Sequence, residues 1–153
     1  MVASLCAVLS GCGGKDSAHK VRTAPVSEPT SRSFGEFEVH CNAVRSDELP
    51  SAVTDVYGIT RSASRVLVNV AMLRKTAEGR TEPVDGTVQV HTRNLSGQIR
   101  DLTMRRISES GSISFIGEVP IEGEDLLVFE IAARPATAVS PYSMQFRREF
   151  SAD

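Results

Sequence analysis

Tryptophan is absent and aromatic residues make up only 5% of the 153-residue chain. That scarcity argues against a carbohydrate platform or a single-strand binder built on stacked rings. An excess of one charge is missing too: 17 basic and 19 acidic side chains leave a formal net charge of -2. With no basic stripe or patch, nucleic acid is not an expected partner. No Gly-x-Ser-x-Gly elbow, Walker-type glycine loop or metal-binding cysteine pair occurs, so the sequence nominates no catalytic residue, no cofactor and no metal ligand set. After the N-terminus no apolar run approaches the ~18 residues of a spanning helix. Any membrane connection must therefore be an anchor rather than a span.

What is present begins with an address. Val2 to Leu9 form a brief apolar stretch, and Leu9-Ser10-Gly11-Cys12 reads as a lipobox, the small Ser10 and Gly11 fitting a peptidase groove just before the cysteine. The pattern resembles bacterial lipoprotein signals, which implies residues 1–11 as signal peptide and Cys12 as the lipid attachment site. Only the terminal amine supplies positive charge ahead of the apolar stretch. Gly13 stands where retention signals of Gram-negative lipoproteins place Asp, so by analogy the expected location is periplasmic, lipid-anchored and preferentially at the outer membrane. Cys6 falls in the leader, and Cys41 is alone in the remainder, which leaves no pair for an intramolecular disulfide once Cys12 is acylated. Residues 12–33, rich in Gly, Ser, Thr and Pro, read as a flexible tether. As a coil it would separate its ends by roughly 25 Å, and stretched it reaches about 70 Å.

Residues 34–150 alternate with period two. Phe37, Val39, Cys41 and Ala43 share one face of a strand near 35–44, with Glu38, His40 and Asn42 on the other. Arg65 to Arg74 is apolar on both faces, as a central strand would be. Further strands are predicted at Val84–His91 and Gln98–Ile107, joined by Asn94-Leu95-Ser96-Gly97, then around 113–119, 127–133 and 142–150, where Arg148 intrudes on the apolar face. Only Leu49, Val53, Val56 and Tyr57 recur at helical spacing, and Pro50 and Gly58 bracket a short helix at 50–57. The expectation is an all-β, immunoglobulin-like antiparallel sandwich of about seven strands with one short helix, lacking the Cys…Trp…Cys core signature.

The densest polar cluster is Arg61, Ser62, Arg65 and Asn69. Guanidinium forks beside a hydroxyl suit a carboxylate or phosphate, which makes Arg61, Ser62 and Arg65 the candidate ligand-binding residues. Arg65 and Asn69 share a strand face about 13 Å apart, so a compact site needs Arg61 or Ser62 to fold back over Arg65. Asn69, between Leu67 and Ala71 in parity, is expected to be a buried polar group bonded to backbone. His40, Cys41, His91 and the methionines raise copper, since sulfur with imidazole suits Cu(I). Adjacent strand residues face opposite sides, however, and His91 meets His40 only if their strands are neighbours.

Tyr57-Gly58-Ile59-Thr60-Arg61-Ser62, followed by Arg65, Leu67, Asn69, Ala71 and Leu73, resembles a family of small exported proteins of Gram-negative bacteria known chiefly as a domain of unknown function. The likeness runs through Phe34-Gly35-Glu36-Phe37-Glu38-Val39-His40, the Asn94–Gln98 turn and Pro141-Tyr142, covering residues 34–150. It implies an envelope β domain and assigns no reaction. Two functional classes follow: a tethered binding or adaptor module with an envelope protein partner, and a small anionic-ligand receptor or enzyme using the Arg61–Asn69 region. A concave pocket separates the second from the first.

Overall fold

The structure is a computed structural model that describes residues 30–152. The leader, the lipobox cysteine Cys12 and the chain up to Pro29 lie outside the described residues. Among the described residues, ten strands form two antiparallel sheets. β1 (Ser31–Phe34), β2 (Phe37–Arg45), β3 (Arg65–Lys75), β8 (Ser112–Pro120) and β7 (Arg105–Glu109) lie in that order in the first, with β4 (Thr81–Pro83) on the far half of β3. The second sheet runs β10 (Tyr142–Ser151), β9 (Glu124–Pro135), β5 (Gly86–Arg93), β6 (Ile99–Leu102). The order β2-β3-β8-β7 facing β10-β9-β5-β6 is the strand arrangement of an immunoglobulin-like sandwich.

The inward parity of each strand fills the space between the sheets. Val39, Cys41 and Ala43 from β2 meet Val66, Val68, Val70 and Met72 from β3, and face Phe129, Ile131 and Phe146 across the sandwich. Phe129 is fully buried and stacks on Phe146 with ring centroids 4.6 Å apart. Such offset ring pairs add about 0.5–1.5 kcal/mol beyond their area.

Three differences from the sequence expectation have physical causes. β1 forms within the last residues assigned to the tether, because Ser31 and Ser33 pair with His40 and Glu38 on an exposed edge where polar side chains are tolerated. β4 is a three-residue strand, too short to show a period. The run Gln98–Ile107, expected as one strand, is two strands in opposite sheets. The chain crosses at Thr103-Met104 over Gly117, where an added Cβ would lie 2.6 Å from Met104 Sδ. The crossing packs Met104 and the Thr103 carbonyl closely over this glycine.

On the side of the sandwich where β2 and β10 meet, two guanidiniums bridge the sheets. Arg148 Nη1 donates to the Ala43 carbonyl at 2.7 Å, and Arg45 Nη1 to the Ser151 carbonyl at 2.6 Å. This explains the charge that interrupts the apolar face of β10.

A cleft on the outer face of the first sheet

The connection from β2 to β3 turns back over the outer face of its own sheet. A 3₁₀ turn (Ser46–Glu48) leads to α1 (Ser51–Tyr57), with Pro50 at its N-cap and Gly58 ending it at φ 60°. That left-handed conformation is what a residue just past a helix C-terminus requires. Ile59 then turns down onto the sheet, its N–H bonded to the Thr54 carbonyl at 2.8 Å. Fully buried Ser46 pins both limbs of the connection. Its hydroxyl lies 2.8 Å from the Thr60 carbonyl and 3.1 Å from that of Ser62, and it accepts the Ser62 N–H at 3.0 Å.

Beneath α1, Ile59, Leu67 and Ile116 make a second, smaller apolar cluster, flanked by Val44, Leu49, Tyr57 and Ile107. The second apolar face of β3 is thereby explained: the β2–β3 connection covers it through Leu49, Tyr57 and Ile59. Coverage is incomplete. A cleft of about 460 Å³ remains between α1 and the sheet. Its apolar part is formed by Val44, Leu49, Val53, Ile59, Leu67, Ile107 and Ile116, and its polar part by Asn42, Asn69, Ser110, Ser112 and Ser114, with Tyr57 and Glu109 also in the lining.

Two bonds tie the end of α1 to β7. The Tyr57 hydroxyl donates to Glu109 Oε2, and Arg105 Nη2 donates to the Tyr57 carbonyl. The bond to Glu109, with smaller contributions from desolvation and the carboxylate charge, pushes the Tyr57 phenol above the ordinary tyrosine range. Asn42 and Asn69 stand opposite each other in register on β2 and β3. Asn42 Oδ1 accepts the Ala43 N–H at 2.9 Å and an Arg148 N–H at 3.3 Å. Asn69 Oδ1 is buried with no hydrogen-bond partner. The backbone bond expected for Asn69 is not made.

Arg61, Ser62 and Arg65 fall beside this cleft rather than in its lining. Arg61 Nη2 donates to the Asp47 carbonyl at 2.7 Å, closing the connection. Ser62 is engaged with Ser46, and its hydroxyl accepts the Ser64 N–H at 3.1 Å. Arg65, on the outer face as expected, pairs across the strand with Glu118 at 3.5 Å. Asn69 is the member of the sequence cluster that reaches the cleft. Asn42, Tyr57, Glu109 and Ser114 carried no local signal, because β2, α1, β7 and β8 supply them separately. As for copper, His40 lies on β2 and His91 on β5, in different sheets, both on outward parity. The thickness of the sandwich separates them. His91 Nδ1 is instead 2.5 Å from Asp101 Oδ1.

The fold and the cleft define a small immunoglobulin-like β domain whose outer sheet face is roofed by a helical connection. The chain belongs to the DUF4426 family, a domain of unknown function, whose profile matches residues 31–153. A crystal structure of a DUF4426 family protein from Pseudomonas aeruginosa PAO1 is similar, with 28% identity and a TM-score of 0.69 over 80% of this chain and 94% of that one. A copper-bound variant of FetP from uropathogenic Escherichia coli strain F11 aligns at 8% identity and a TM-score of 0.47, over 83% of this chain and 91% of that one. Among curated proteins none matches.

Proposed function

We propose that this protein is a lipid-anchored binding module of the cell envelope, and that it holds a small, largely apolar ligand in the cleft between α1 and the outer face of the first sheet. One observation carries the ligand-binding part: a concavity of about 460 Å³, apolar over most of its wall, is lined by Asn69, whose side-chain amide makes no hydrogen bond among the described residues. Small-molecule sites have this character, an apolar enclosure of ~300–1,000 Å³ with few, placed polar groups. The alternative of an anion held by Arg61, Ser62 and Arg65 has less support, since Arg61 is engaged by the Asp47 carbonyl and Arg65 by Glu118.

The anchoring part rests on the lipobox at Leu9–Cys12 and on Gly13 after it, which favours the outer membrane. Replacing Cys12 by Ser should abolish incorporation of labelled palmitate and release the protein into the soluble fraction. Retention on membranes after that change sinks the anchor. For the cleft, the full chain should take up the small dye N-phenyl-1-naphthylamine saturably with a gain in fluorescence. Ser114→Phe, which fills the cleft from β8 without touching the sandwich interior, should abolish the uptake while the circular dichroism spectrum is unchanged. Equal uptake by the folded variant refutes the cleft as the binding site.

A further inference from the structure

We infer that the cleft is built for an uncharged amphiphile, an aliphatic chain ending in a neutral head group that both donates and accepts hydrogen bonds, as a primary amide does. The inference rests on the binding role proposed above and specifies the head group. Charge is the first argument. The ionisable residues in the lining are Tyr57 and Glu109, and they are bonded to each other. Among the described residues no lysine, arginine or histidine lines the cleft, and Arg105 beside it is committed to the Tyr57 carbonyl. A carboxylate or phosphate entering here would shed water with no cation to receive it, which is costly. An ammonium would find only Glu109, an exposed acid already engaged, and pairing at such a site contributes little.

The second argument is the chemistry of the polar wall. Asn42, Asn69, Ser112 and Ser114 are neutral, and each type both donates and accepts. Asn69 is the one uncommitted: its side chain makes no hydrogen bond among the described residues, and Oδ1 is turned away from solvent. Rotation about its terminal torsion exchanges oxygen and nitrogen without breaking any bond. One side chain therefore presents a donor or an acceptor as the ligand requires. A primary amide answers both senses at once, whereas a carboxylate only accepts and an ammonium only donates.

Size is the third. At roughly 30 Å³ for each water-sized group, the cleft's volume of about 460 Å³ takes about fifteen non-hydrogen atoms. A chain of about ten carbons with its head group fits that allowance.

The test uses decanamide, decylamine and decanoate as competitors of the small dye N-phenyl-1-naphthylamine on the full chain at neutral pH. Decanamide should displace the dye at concentrations about tenfold lower than either charged analogue, the factor expected when one buried partner is satisfied rather than left unpaired. In Asn69→Leu the three should compete at near parity, because the group that distinguishes them is gone. Decanoate or decylamine competing as well as the amide in the unaltered protein overturns the inference and leaves the cleft's binding role standing. An amide preference that persists in Asn69→Leu overturns it as well. If the dye binds but no competitor displaces it, and Ser114→Phe binds it equally, the binding role falls and takes this inference with it.

Discussion

Asn69→Leu is the substitution that separates what this site costs from what it does. The side chain is half-buried on the outer face of β3, opposite Asn42, with Oδ1 closed off from solvent and unpaired. An unsatisfied buried acceptor costs ~1–3 kcal/mol of folding free energy. Leucine has a similar volume, removes that acceptor, and adds apolar contact with the Leu67 and Ile116 cluster worth about 1 kcal/mol. The variant should thus be more stable by ~2–4 kcal/mol, raising the midpoint of thermal unfolding by about 8–16 °C for a domain of this size. Equilibrium urea unfolding with an unchanged slope is the second assay, since it reports stability separately from compactness. Paired with lost head-group discrimination, the gain would mark Asn69 as a residue held against the interest of folding. Unfolding at a lower temperature than the parent would refute the reasoning, because it would mean that Asn69 has a structural partner.

Three further outcomes follow. Gly86→Ala should lower stability by ~1–3 kcal/mol, measured by chemical denaturation, because its Cβ would meet the Arg134 carbonyl oxygen at 2.1 Å and Pro135 Cα at 2.9 Å, both backbone atoms of β9; a neutral result means that β5 and β9 separate freely there. Cys41 is 4% exposed and burial pushes its thiol up to about 12, so a thiol reagent should label it only at the rate of unfolding; a folded pKa raised above the unfolded one favours the neutral thiol, so this contribution to stability is present below the ordinary thiol range and lost as pH rises toward about 12, a loss that Cys41→Ala should remove. Tyr57→Phe should speed hydrogen exchange in residues 51–58 while β3 and β9 stay protected, since it cuts the bond from α1 to Glu109; unchanged exchange would show that Arg105 alone holds the helix.

How far the sequence discloses this molecule depends on the range over which each signal acts. Period-two alternation is local, and it marks β2, β5, β9 and β10 within a few residues, just as Pro50 and Gly58 mark the ends of α1. The crossing between β6 and β7 stays hidden, because alternation carries on through Thr103-Met104 while the chain changes sheets. The cleft is harder still. Tyr57 and Glu109 are 52 residues apart, and Asn42 meets Asn69 only once β2 and β3 are in register. Polar density along the chain points to Arg61, Ser62 and Arg65, which lie beside the cleft and contact Asp47, Ser46 and Glu118. One clue to the cleft was legible: β3 is apolar on both faces, which requires a cover on the outer one.

The outer strands of the two sheets share a property that matters once many copies stand close together. β1 and β6 are four residues each, β7 opens with Arg105-Arg106, and β10 carries Arg148 on its inward parity, turned across to Ala43. Short edges, charged edges and an inward charge are the devices by which β proteins refuse an incoming strand. Copies crowded side by side on a surface would have little backbone to offer one another, so high local density should not lead to fibrils or open-ended sheets. The domain is thereby suited to being displayed densely while staying a population of separate molecules, each with its own cleft open to the surroundings.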